Sequence, residues 1–152
     1  MNFLKFFYFI AILSPYALYA QDHKKMMDQM AMSDSRKPVK LNAMMAKHQL
    51  ANMREHLNAV QEIIAAMSDR NFQGMKIASQ KLATTPQMAM MCEHMGQMTP
   101  GFTQMGMALH TEADKLVVLA DKKDYNGFVK QLSVTTKTCT SCHAQFKQEI
   151  IP

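Results

Sequence analysis

The chain has 152 residues, 48% of them apolar, with 17 methionines, three cysteines, no tryptophan and a formal charge of +5 at pH 7. So mild a basic excess, without a basic cluster, argues against nucleic-acid binding, and three cysteines are too few for a disulfide framework. No paired carboxylates, Ser-His-Asp arrangement or phosphate loop can be read, so the chain is expected not to be an enzyme.

Residues 1–20 begin with Lys5, run through apolar Phe6 to Leu13 and close on Ala17-Leu18-Tyr19-Ala20, the layout of an export signal peptide. Ser14 and Pro15 interrupt the apolar run, which is too short for a membrane span. Cleavage after Ala20 takes 20 residues from 152 and leaves 132, with Lys5 gone and the charge at +4. That length suits one compact domain burying roughly two-thirds of its unfolded surface. The mature protein is expected in the periplasm, with no stable membrane span.

Residues 21–38 read as a methionine-rich arm or short leading helix, where His23, Met26, Met27 and Met30 can share one helical face. With Met32 they make a soft donor set that suits Cu(I), so a methionine-rich copper-binding protein is one alternative reading. A solvated arm is the plainer one.

Residues 39–152 carry the pattern of a helical domain. From Val39 to Met67, apolar positions recur in steps of three and four along Leu41, Met45, Gln49, Met53, Leu57, Val60, Ile64 and Met67, with no Gly or Pro inside. Ser68 and Asp69 offer an N-cap for a second helix through Phe72, Met75, Ile77 and Leu82, which is interrupted at Thr84-Thr85-Pro86. A short helical piece over Pro86–Met98 stops near Gly96, and Thr99-Pro100 supplies a cap-then-proline start for the next helix. That helix buries Phe102, Met105, Leu109, Ala113, Leu116 and Ala120. After the Asp121–Asp124 turn, the last helix has a seam of Phe128, Leu132, Thr135, Cys139, Cys142, Phe146 and Ile150. Strand alternation and hairpin turns are not apparent. The fold class is therefore all-α, an antiparallel up-down-up-down four-helix bundle.

On the last helix stands Cys139-Thr140-Ser141-Cys142-His143. C-x-x-C-H reads as a c-type haem attachment site, in which both thiols add covalently to the porphyrin and the adjacent imidazole reaches the iron. Residues three and four apart share a helix face, so Cys139, Cys142 and His143 can address one flat cofactor, a single covalent haem c on the C-terminal helix. A redox dithiol would want a βαβ context, and a zinc site would want more ligands than this segment has.

An exported four-helix domain with C-x-x-C-H in its final helix resembles the class II c-type cytochromes, cytochrome c′ and cytochrome c-556. The resemblance covers about Val39 to Lys147. It rests on Cys139 to Lys147, similar to the family's C-x-x-C-H-x-x-(aromatic)-(basic) ending, and on Asn52-Met53-Arg54-Glu55-His56-Leu57, where a Leu or Met precedes a His by three residues. It implies His143 as proximal iron ligand and Met53 as distal ligand. Helix lengths put Met53 and His143 about 12 Å apart along the bundle, an offset that leaves Met45, His48 and His56 open as well. Lys147 stands where the family usually has Arg, and Met88 to Met107 is richer in methionine than the family needs, around Cys92 and His94.

The expected function is electron transfer by an exported c-type cytochrome with His and Met axial ligands. Its partner would be a redox protein, and a homodimer is compatible with the family. A c′-type protein that binds nitric oxide at an open iron position is the nearer alternative, and the copper-binding protein the more distant one.

Overall fold

A computed structural model describes residues 22–29 and 34–152. The expected signal at 1–20, and Met30 and Met32 of the soft donor set, lie outside the described residues. The chain divides into two units, Met1–Ser35 and Arg36–Pro152. In the first, residues 22–29 form a helix, α1, with every side chain exposed, Met26 and Met27 among them.

The second unit runs β1 (Lys37–Leu41), α2 (Ala43–Ser68), α3 (Phe72–Gln80), α4 (Pro86–Gly96), α5 (Phe102–Asp121), α6 (Tyr125–Gln145) and β2 (Phe146–Ile150). The protein is mostly helical, as its periodicity predicts. The strands are a correction: β1 and β2 pair in parallel, from Lys37 opposite Phe146 to Leu41 opposite Ile150. Parallel strands need a crossover, and here the helices α2 to α6 supply it. The first helix therefore starts at Ala43 rather than Val39, and the last ends at Gln145, where Phe146 turns to φ −125° and ψ 148°.

Capping explains the other boundaries. Asn42 accepts a hydrogen bond from the Met45 amide at 2.9 Å and opens α2. Asn71, not Ser68 or Asp69, caps α3 by accepting from Gly74, and Thr85 caps α4 one residue before Pro86. α5 starts at Phe102 behind Gly101, whose φ of 89° favours glycine, so the Thr99-Pro100 start shifts by two residues. Asp124 accepts from Gly127 and opens α6.

Two apolar clusters hold the unit. One joins Ala59, Ile63, Met75, Ala78, Leu82, Ala113, Leu116, Ala120 and Phe128, contributed by α2, α3, α5 and α6 together with Leu82 just after α3. The other joins Val39, Leu41, Ala46, Met95 and Phe146, tying the sheet to α2 and α4. α2 packs along α3, α3 along α5 and α5 along α6, whereas α2 and α6 make little direct approach.

The face that α2 buries differs from the expected seam. Its buried residues are Ala46, Gln49, His56, Ala59 and Ile63. The last three each lie one residue, about 100° of helix, before Leu57, Val60 and Ile64. Small Ala46 and Ala59 let neighbouring elements come close, and the larger apolar residues are left outside: Leu50, Met53, Leu57 and Ile64 are exposed. A helix apolar on two faces offers periodicity no means of choosing between them. Likewise Ile77 and Ile150 are exposed rather than buried.

Candidate functional site

α6 carries three of the four predicted site residues within its last two turns. In its Thr-rich stretch the hydroxyls bond back to their own helix: Thr135 and Thr136 donate to the carbonyls of Gln131 and Leu132, each at 2.9 Å, and Thr138 donates to that of Thr135 at 2.6 Å. Cys139 and Cys142 are half-buried and unbridged, and His143 is exposed. The His143 carbonyl accepts from Arg36 Nη1 at 3.4 Å, and the Phe146 amide donates to the Cys142 carbonyl, so the end of the motif is held by β1's approach and by β2's first residue.

Cys142 packs against the second cluster, beside Met45, Met91, Phe102 and Met105 with buried Met95. This accounts for part of the methionine-rich segment: long unbranched thioethers fill the irregular space between α4, α5 and the end of α6. Cys92 on α4 is buried, with its carbonyl accepting from Thr103 Oγ1 at 3.3 Å. Gly106 faces its sulfur, where an added Cβ would come within 3.3 Å. Burial raises the pKa of all three thiols, and Cys139 and Cys92 raise Cys142 further. The thiols therefore stay protonated at neutral pH, and Cys92 is a buried small side chain.

Met53, the predicted distal ligand, is 36% exposed on α2 and lies outside the cluster that holds Cys142, whereas Met45 belongs to it. His48 is exposed, with Nε2 3.4 Å from Asn52 Nδ2. His56 is buried against His110 of α5, a pairing that sequence reading missed because the two lie 54 positions apart on faces without a motif. Among the described residues no group of three or more His, Cys, Asp or Glu side chains gathers as a metal site. Hollows on the surface of the described residues include the following two. One of about 430 Å³, lined by Arg70, Phe72, Lys76 and Asp121, lies by the α2–α3 and α5–α6 turns. The other, about 250 Å³, lies between α5 and α6 and is lined by Met105, Ala108, Glu112, Val134, Lys137, Thr138 and Ser141.

The donor set suits a covalent haem. Two protonated thiols three residues apart share one half-buried helix face, and the imidazole follows at the next position. Leu50, Met53 and Leu57 form an exposed apolar row on α2, which packs little against α6. Among the described residues no helix is long and apolar enough to cross a membrane. No family model, curated protein or solved structure matches this chain.

Proposed function

We propose that the protein is an exported, periplasmic c-type cytochrome that carries single electrons to or from a redox partner protein. In this reading α2, α3, α5 and α6 are the four helices of an up-down-up-down bundle of the class II cytochrome kind, with α4 inserted between the second and third. The observation that carries it is C-x-x-C-H on the last helix, with Cys139 and Cys142 on a half-buried face beside an apolar cluster.

Cys139 and Cys142 would hold haem c through two thioethers, His143 would be the proximal ligand and Met53 the distal one. When bound, the haem supplies a one-electron iron couple. The residues around it do three things. The thioethers would fix its position on α6, apolar side chains of the Cys142 cluster would shield it from water, and a Met53 thioether would raise the reduction potential relative to a second nitrogen ligand. Helices stapled by the buried cluster around Ile63 and Phe128 change little between redox states, which keeps reorganisation small.

The test is the exported protein's pigment. Haem should stay with the polypeptide through acid-acetone extraction, and Cys139→Ser with Cys142→Ser should abolish that retention. Haem that extracts freely from the wild type refutes covalent attachment. A low-spin ferric spectrum with a sulfur-to-iron band supports electron transfer, while a high-spin form that takes up nitric oxide readily moves the function to gas binding.

A further inference from the structure

His56 and His110 face each other inside the second unit, one on α2 and one on α5, with 9% and 2% of their surfaces exposed. Both ring nitrogens of His56 are buried and have no hydrogen-bond partner. A buried imidazole with neither nitrogen satisfied is costly, and such groups mark places where a water or an ion belongs.

His110 differs in the way a metal ligand would require. Its Nδ1 lies 2.8 Å from the Leu82 carbonyl oxygen. A carbonyl only accepts, so Nδ1 carries the proton and, in the neutral ring, Nε2 carries a free lone pair. A ring nitrogen that donates to a backbone carbonyl is how proteins fix the tautomer and orientation of a metal-binding histidine.

The spacing of the rings agrees. Their centroids are 5.4 Å apart, with planes at 77° and no hydrogen bond between them. An imidazole nitrogen about 2.0–2.1 Å from an ion puts its ring centroid about 3.2 Å from that ion, so an ion held by one nitrogen of each ring would see the two, at 5.4 Å, under about 115°, close to tetrahedral.

We propose that His56 and His110 form a two-imidazole site for a transition-metal ion such as Zn²⁺ or Cu²⁺, separate from the C-x-x-C-H segment. Neutral imidazole is a preferred donor for both ions. With no third His, Cys, Asp or Glu gathered there among the described residues, the two imidazoles are the protein's whole share of the coordination.

The experiment is a Zn²⁺ titration of the full exported protein at pH 7 by calorimetry, with X-ray absorption at the zinc edge. One ion per chain is expected, with two imidazole scatterers at about 2.0 Å. His56→Leu and His110→Leu should each weaken binding at least tenfold, while His48→Ala and His94→Ala, on exposed positions, should leave it unchanged. No stoichiometric zinc on the wild type overturns the proposal and leaves a buried water as the partner of His56, whatever the variants do. Zinc that persists in both leucine variants overturns it too. So does a haem spectrum that changes in His56→Leu while the wild type binds no zinc, since His56 would then serve the iron.

Discussion

Phe146 and Ile150 fall on one face of the helix that periodicity predicts, yet the break after Gln145 gives them opposite surroundings. Phe146 is 5% exposed and meets Phe102 edge-on at 5.4 Å, whereas Ile150 is 63% exposed at the end of β2. Truncating a buried Phe to Ala costs about 3–5 kcal/mol, and loss of the edge-on partner puts Phe146→Ala in the upper part of that range. Only a little over a third of Ile150 is shielded, so the roughly 2–5 kcal/mol of a buried Ile scales down to about 1 kcal/mol for Ile150→Ala. Against a total stability of about 5–15 kcal/mol, the first variant should lose a large share of it and the second little. Urea unfolding followed by helical circular dichroism measures both, with the expected gap at about 2 kcal/mol or more. Equal costs, within about 0.5 kcal/mol, would refute the helix break, because a helix continuing through residue 150 would set both side chains on the same face.

Other perturbations separate packing from chemistry. Met53→Leu should cost less than about 1 kcal/mol, because Met53 is over a third exposed and the swap conserves volume, yet turn a low-spin ferric haem high-spin. A spectrum left low-spin would pass the distal position to Met45, His48 or His56. Cys92, buried and with its pKa raised, should resist iodoacetamide at pH 8 in the folded protein and react on unfolding, and rapid labelling of the native state would contradict its burial. Hydrogen bonds from Lys115 and then Gln131 hold the Glu112 carboxyl below its ordinary value. Its contribution to stability should therefore be full at neutral pH and fade as pH falls through and below the usual carboxylate range. Glu112→Gln should flatten that part of the pH profile, and an unchanged slope would count against the interaction.

Much of the helical framework could be read before any coordinates. α4 stops at Gly96 where expected, the α5–α6 turn falls at Asp121–Asp124, and α5 buries Leu109, Ala113, Leu116 and Ala120 on the expected face. Local chemistry governs those features: glycine stops, caps, and a single apolar stripe. The small sheet escaped because the alternation in β1, Val39 and Leu41 buried about exposed Lys40, is too short to stand out in a local window, and only the folded helices bring the two strands together from opposite ends of the unit. The face of α2 escaped for a different reason. Leu50, Met53, Leu57 and Ile64 outweigh Ala46, Ala59 and Ile63 in apolar bulk, so a count by hydrophobicity favours the side that the fold leaves outside.

That inversion on α2 bears directly on the site. Cys139, Cys142 and His143 were legible because their chemistry is written in five consecutive residues, and their helix fixes their relative placement. A distal ligand comes from another helix, so its identity depends on which way that helix is turned, and a rotation of one residue exchanges His56 for Leu57 at the core. With the rotation observed, Met53 lies at the edge of the buried face beside two more exposed apolar residues, while His56 points inward to His110. The same turn of the helix keeps the two proposals on different residues, Met53 for the haem and His56 for a metal ion.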